Sequence, residues 1–213
     1  MPIARTTGLA WLLLAGTLAA QQGEEARERW QRVPDVFAAL GVAPGARVAD
    51  IGAGAGFFTA RLAHAVGPQG RVFAVDVDAG VIAGLRERAA RDGWSTVAIV
   101  HSAPDDPRVA DAALDAALVM NAYHEFTDPE AMLRGLARAL RPGGRLVIID
   151  QVPAARRLRA GRSDQERAHE LGSWFAVSDV ALAGFRIVRL EDPFIEADGT
   201  GTQSNWWLLV AER

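Results

Sequence analysis

An α/β domain with a mostly parallel, doubly wound sheet is the fold this sequence predicts. Three observations carry it. Short apolar, β-branched runs alternate with amphipathic segments of helical period, which is the pattern of βαβ units. A glycine-rich turn, Gly52-Ala53-Gly54-Ala55-Gly56, follows the first of those runs. The next run closes on a carboxylate, Asp76, 24 positions after Gly52.

The elements follow in order. Residues 24–43 are charged, then amphipathic, and are broken at Pro34; they read as one or two leading helices. Pro44-Gly45 makes a turn into a buried strand over Ala46 to Ile51. Phe57 to Val66 has helical spacing and stops at Gly67-Pro68. Arg71 to Val77 is a second strand, and Ala79 to Arg91 an amphipathic helix ended at Gly93. Val97 to His101 and Leu114 to Met120 are the third and fourth strands. Asp128-Pro129 supplies a helix cap and a proline at the first helical position. That helix runs to Leu140, and Pro142-Gly143-Gly144 turns it into a fifth strand, Arg145 to Asp150. Residues 151–177 are less regular and are expected to cover a substrate. Ser178-Asp179 reads as the cap of a short helix to Ala183. Phe185 to Leu190 and Trp206 to Ala211 follow with no helix between them, so they pair antiparallel at one edge of the sheet. Trp206 and Trp207 point to opposite faces, and at least one of them is core.

Composition removes several classes of function. The chain has 213 residues, 50% hydrophobic and 23% charged, which suits one domain with a substantial core and argues against disorder. No apolar run reaches the roughly 18 residues of a spanning helix, so a multi-span membrane protein is excluded. A net charge of −3 gives no reason to expect nucleic-acid binding. All 23 basic residues are arginine, which removes a Schiff-base lysine and a P-loop lysine. There is no cysteine, hence no disulfide, thiolate metal site or thiol nucleophile. The histidines are His64, His101, His124 and His169. A serine triad or a histidine–metal site would require them to converge, and the expectation is no metal.

Residues 1–20 read as a signal peptide. Arg5 precedes an apolar stretch from Gly8 to Ala20, which ends in small residues before Gln21-Gln22. Export to a periplasmic or extracellular space is the expectation, with a cytoplasmic location if the start or the leader is misread. Residues 21–213 then form a single domain: leading helices to 43, a cofactor-binding core over 44–150, the covering segment, and a terminal helix and strand pair from 178.

In an open α/β sheet, ligands bind beyond the carboxyl ends of the strands. Here those ends carry Asp50 with the glycine turn, Asp76, Ser102-Ala103, Asn121-Ala122-Tyr123-His124 and Asp150. Glycines let the backbone turn tightly and approach a ligand, and the helix behind them offers free N–H groups. The dinucleotide fingerprint G-x-G-x-x-G is not met, because Phe57 occupies the slot of its third glycine. Asp50, two residues before the first glycine, suits a cationic amino-acid end better than a pyrophosphate. Asp76 is placed to accept hydrogen bonds from ribose hydroxyls.

Val48-Ala49-Asp50-Ile51-Gly52-Ala53-Gly54-Ala55-Gly56-Phe57-Phe58-Thr59 resembles motif I of the class I S-adenosylmethionine-dependent methyltransferases. Val72 to Asp76 resembles their second-strand motif, Leu114 to Asn121 the fourth, and Leu140 to Asp150 the fifth. The resemblance spans about residues 33–150 and implies the Rossmann-like fold of that family: seven strands, one antiparallel, with helices on both faces. It implies S-adenosylmethionine as cofactor, with Asp50, Gly52 and Gly54 at its methionine part, Asp76 at its ribose and Asn121 near the methyl. Adenine falls to Ser102 and Ala103, with Asp105 or Asp106 as an alternative acid, since many family members carry an acid where Ser102 stands. His124 is the candidate base and Tyr123 a candidate wall of the methyl site; a packing role is the alternative for each. The expected reaction is methyl transfer to a small molecule, with no nucleic-acid partner. A non-catalytic ligand-binding protein on the same fold is the second reading, and a nicotinamide oxidoreductase, disfavoured by Phe57 and Asp50, the third.

Overall fold

A computed structural model describes residues 22–197 and 204–213. The signal-peptide reading of residues 1–20 lies outside them. Helix α1 covers residues 22–30 among the described residues, and α2 Val33–Leu40, with Pro34 in its first turn. The strands are β1 Arg47–Ile51, β2 Arg71–Asp76, β3 Val97–His101, β4 Leu114–Met120, β5 Leu140–Gln151, β6 Arg186–Ile195 and β7 Trp206–Glu212. Between them lie α3 Phe57–Val66, α4 Ala79–Asp92, α5 Pro129–Ala139, α6 Arg162–Glu166 and α7 Ser173–Leu182.

The seven strands form one sheet in the order β3-β2-β1-β4-β5-β7-β6. The first five named are parallel, while β7 runs antiparallel to both β5 and β6. The antiparallel pair thus closes one edge, with β7 inserted next to β5 and β6 outermost. Strand order reverses beside β1, where chain direction leaves to β2 on one side and β4 on the other. That switch point opens a crevice at the carboxyl ends.

Both faces of the sheet are buried, which is why the parallel strands read as continuous apolar runs. Val48, Leu118, Val147, Leu208 and Trp206 pack beneath α2 and α3. Ala49, Ala117, Ile148 and Trp207 pack beneath α5 and α7. Adjacent Trp206 and Trp207 therefore anchor opposite layers, and the Trp207 indole N–H donates to the Leu171 carbonyl at 2.6 Å. Ala74 on β2 meets Ile82 and Leu85 of α4. Asp128 caps α5 as expected, accepting from Ala131 N at 2.9 Å, and Asp78 caps α4, accepting from Val81 N at 2.8 Å.

Several features differ from expectation. β5 begins at Leu140 and runs through Pro142-Gly143-Gly144 with a register shift against β4, where a turn and a strand from Arg145 were expected. Ser178-Asp179 does not start a helix, because α7 already begins at Ser173 after Gly172. Asp179 instead turns its carboxylate inward, accepting from the Tyr123 hydroxyl at 2.7 Å and Arg162 Nη1 at 2.5 Å. β6 continues to Ile195 through a register shift after Glu191, which lets an edge strand carry Pro193. Residues 151–177 hold more order than their composition suggests. The Arg157 guanidinium grips Glu170 through Nε at 2.7 Å and Nη2 at 2.6 Å, and Gln165 bonds Ala160 O and Gly172 N.

Candidate active site

A cavity of about 590 Å³ opens at the switch point, beyond the ends of β1, β2, β3 and β4. Strand order lays its walls along one line. Ser102 and Ala103 come from β3, Asp76 from β2, Asp50 and the glycine turn from β1, and Met120 and Asn121 from β4.

The glycine turn is shaped by two different constraints. Gly52 has φ +71°, and a Cβ there would stand 2.4 Å from the Ala122 Cβ, so the β1 and β4 ends can meet only through a glycine. Gly54 has φ +52°, and a Cβ there would meet no atom within 4 Å. Its lack of a side chain leaves backbone open toward the cavity.

Asp76 organises this turn. One carboxylate oxygen accepts from Gly54 N at 3.0 Å and the other from Asp78 N at 3.0 Å. Each oxygen keeps a further acceptor position, which is what two vicinal ribose hydroxyls require. Asp50 is buried and accepts from Thr59 Oγ1 at 2.6 Å. Burial raises its carboxyl to about 6; the Thr59 hydrogen bonds and the Arg27 charge pull the other way, and the nearby Asp76 charge adds to the rise. A carboxylate so far from water is stabilised by a cation brought beside it.

Seven of the expected site residues line the cavity: Asp50, Gly52, Gly54, Asp76, Ser102, Ala103 and Asn121. Three do not. Asp105 stands at the tip of a turn closed by the paired backbone bonds of Ala103 and Asp106, which leaves it exposed and outside the wall. Tyr123 is fully buried: its ring packs 5.3 Å from Phe126 and its hydroxyl is held by Asp179. It belongs to the core rather than to a methyl site. His124 lies directly behind the wall, 4% exposed. Its Nδ1 is 2.9 and 3.0 Å from the two oxygens of Asp150, which also accept from His124 N and Gln151 N. Burial lowers the His124 imidazolium, but the hydrogen bond and charge of Asp150, with Glu125 and Glu166, outweigh it and leave the group raised.

Other residues at the wall were not among the expected site residues, and Glu125 read as a solvated residue before the Asp128 cap. Arg27 of α1 lines the cavity, its guanidinium 4.1 Å above the Phe57 ring. Glu24 and Glu28 of the same helix pair with Arg61 at 3.4 and 3.0 Å, and Glu24 with Arg88 at 3.2 Å, which pins α1 across the cavity mouth. Glu125 lines the far end with Phe126, Thr127 and Met132. Its neighbours His124 and His169 lie 3.7 and 3.9 Å away. No residue of 151–177 reaches the wall itself.

The fold and the line of strand ends define a class I methyltransferase architecture. Residues 48–144 match the model of a methyltransferase-domain family. A curated relative, a ubiquinone/menaquinone biosynthesis C-methyltransferase of Vibrio campbellii, is 31% identical over 111 residues, covering 52% of this chain and 43% of that one. An arsenite methyltransferase of Halobacterium salinarum is 34% identical over 122 residues, covering 57% and 31%. The chain thus spans less than half the length of either. A crystal structure of a SAM-dependent methyltransferase from Aquifex aeolicus superposes with a TM-score of 0.70 at 24% identity, over 84% of this chain and 87% of that one. Residues 48–144 therefore carry a methyltransferase domain, on a fold shared with S-adenosylmethionine-dependent methyltransferases of known structure, and the cofactor this implies is S-adenosylmethionine.

The cavity fits that cofactor on its own geometry. It has an open glycine backbone beside Asp50 for the amino-acid end, paired acceptor positions on Asp76 for the ribose, and Ser102, Ala103 and Pro104 around the adenine end.

Proposed function

We propose that this protein transfers the methyl group of S-adenosylmethionine to a small molecule held between Asn121 and Met132. One observation carries the reading. A single cavity joins the Asp50–Asp76–Ser102 end to a second end lined by Met120, Asn121, Glu125, Phe126 and Met132. The cofactor supplies a sulfonium-bound methyl that is electrophilic without further activation. The chain then has to align an acceptor in line with that methyl and keep water away. Asn121, held at φ +56° and bonded to Gln151 Nε2 through its own Oδ1 at 3.0 Å, is placed to orient the acceptor.

The wall favours an acceptor with an apolar body. An acceptor methylated at carbon, as the name of the Vibrio relative describes, suits it. Arsenite, named for the Halobacterium relative, suits it less, because a thiophilic acceptor has no thiolate to meet in a chain without cysteine. Any proton on the acceptor leaves toward Glu125, which stands on the wall with the His124–Asp150 pair behind it.

The test is calorimetric titration of the full chain with S-adenosylhomocysteine, with NADH as control, followed by assay of labelled methyl transfer to quinone-precursor and other small aromatic acceptors. Micromolar binding of the first ligand alone supports the reading. A folded protein that binds neither overturns it and leaves the non-catalytic binding protein. That second reading is favoured by the leader at residues 1–20, since an exported protein would stand apart from cytosolic cofactor. Export is itself proposed from Arg5, the apolar stretch and the small residues before Gln21. Sequencing the amino terminus of the protein isolated from its own cell tests it, and a start at Met1 in the cytosolic fraction refutes it. Among the described residues no helix is long and apolar enough to cross a membrane.

A further inference from the structure

His124, Glu125 and His169 meet beside the cavity from two distant parts of the chain. His124 Nε2 lies 3.4 Å from His169 Nδ1 and 3.7 Å from Glu125 Oε1, and the last two atoms are 3.9 Å apart. The point equidistant from the three atoms is about 2.1 Å from each, the length of a zinc–nitrogen or zinc–oxygen bond. We propose that these three side chains bind one divalent transition-metal ion of the zinc class.

Three further features support the site. Asp150 is fully buried and holds Nδ1 of His124, so the proton sits on that nitrogen and the lone pair on Nε2 faces the other two donors. A carboxylate behind a histidine ligand is the recurrent arrangement at zinc sites, where it fixes the tautomer and raises ligand basicity. His169 is held at φ +55°, an unusual conformation for a side-chain-bearing residue, and its ring stands nearly perpendicular to that of His124 with centroids 5.4 Å apart. The donor set is two imidazoles and one carboxylate with no thiolate, which suits zinc, cobalt and nickel and gives calcium or magnesium too few oxygens.

The site has one shared wall with the cavity, through Glu125. Three protein ligands leave a position open, as in catalytic zinc sites. An acceptor oxygen at that position would be polarised and its deprotonation eased. This last role rests on the methyl-transfer reading; the metal site does not. It also recasts His124, from a base that touches the acceptor to a ligand of the ion that does.

The experiment uses the full chain, without a histidine tag, stripped with a chelator and titrated with Co2+ and then Zn2+. One equivalent of Co2+ should give visible d–d absorption of low-symmetry coordination, which Zn2+ bleaches. His169→Ala and Glu125→Gln alter exposed side chains, so the metal-free protein should melt as the parent does. Each should weaken Zn2+ binding by at least about 100-fold. Asp150→Asn should weaken it about 10- to 100-fold, the usual effect of losing such a partner. No absorption with Co2+, or Zn2+ affinity unchanged in both exposed-residue variants, would overturn the proposal and leave a hydrogen-bonded histidine pair. Zinc binding without S-adenosylhomocysteine binding would keep the site and remove the methyl-transfer reading. The reverse result would do the opposite.

Discussion

Asp50→Asn should stabilise the ligand-free protein and at the same time weaken its hold on the cofactor. The parent carboxyl is raised to about 6 by burial, against an unfolded value of 3.8. Between those values the folded chain holds a proton that the unfolded chain has lost. Stability therefore falls as pH rises through that window, and the deficit is complete above about pH 6. The shift is worth about 3 kcal/mol in full, of which about 1.4 kcal/mol develops between pH 5 and pH 8. Asparagine carries no such penalty, and its carbonyl still accepts from Thr59 Oγ1. Urea denaturation of both proteins at pH 5 and pH 8 gives the difference directly, with the groups not coupled to Asp50 cancelling. It should move by about 1.4 kcal/mol in favour of asparagine. A difference that stays constant within about 0.5 kcal/mol would refute the account of Asp50 as a desolvated carboxyl. The same charge governs the ligand. An amino-acid cation beside Asp50 requires the carboxylate, so binding near pH 5 must first release a proton. S-adenosylhomocysteine should bind the parent about tenfold more weakly at pH 5 than at pH 8, and Asp50→Asn should abolish most of that dependence.

Four other substitutions separate the parts of the cavity. Asp76→Ala removes two acceptor positions for ribose hydroxyls and should weaken S-adenosylhomocysteine binding by about 2 to 5 kcal/mol in calorimetry; unchanged affinity with the fold intact removes Asp76 from the site. Gly52→Ala should lower the melting temperature strongly, since its Cβ meets Ala122 at 2.4 Å. Gly54→Ala faces open space and should cost only the left-handed backbone, about 1 to 2 kcal/mol. Its cofactor affinity should fall by more than its stability, and equal melting temperatures for the two glycine variants would contradict this division. His124→Ala should abolish methyl transfer while S-adenosylhomocysteine affinity stays within about threefold of the parent; retained turnover would assign His124 to packing.

How much of this was legible in the chain depends on how far apart the cooperating residues lie. β3 and β4 coincide with the runs Val97 to His101 and Leu114 to Met120, and α3 with Phe57 to Val66, because their ends are marked by local breakers. Asp50, Gly52, Gly54, Asp76 and Ser102 were legible for a related reason. A parallel sheet puts every strand's carboxyl end on one side, so periodicity alone delivers them to a common crevice. What sequence could not supply were groups brought in sideways. Arg27 reaches the cavity because α1 is strapped to Arg61 and Arg88, contacts 33 to 64 positions apart. Ser178-Asp179 imitated a cap because capping chemistry and a half-buried ion pair use the same side chain, and Arg162 and Tyr123, 17 and 56 positions away, decide between them.

The histidines show the limit most clearly. Reading His124 as the reactive group followed from its place after β4, whereas the structure buries it outside the residues that line the cavity. Its chemistry is set instead by Asp150, 26 positions on, and His169, 45 positions on. Asp150 is at the end of the neighbouring strand β5, so sheet order explains that pairing once β4 and β5 are known to be adjacent. His169 has no such periodic signature. It arrives through a segment held by the Arg157–Glu170 pair and the Gln165 hydrogen bonds, which fix the loop on which it stands. Breaking that support from a distance tests whether the loop serves the triad. Arg157→Ala leaves every proposed ligand in place, and with the metal site as drawn it should weaken Co2+ binding about tenfold by loosening His169. Unchanged Co2+ affinity in that variant would mean that the loop's order has nothing to do with the histidine pair.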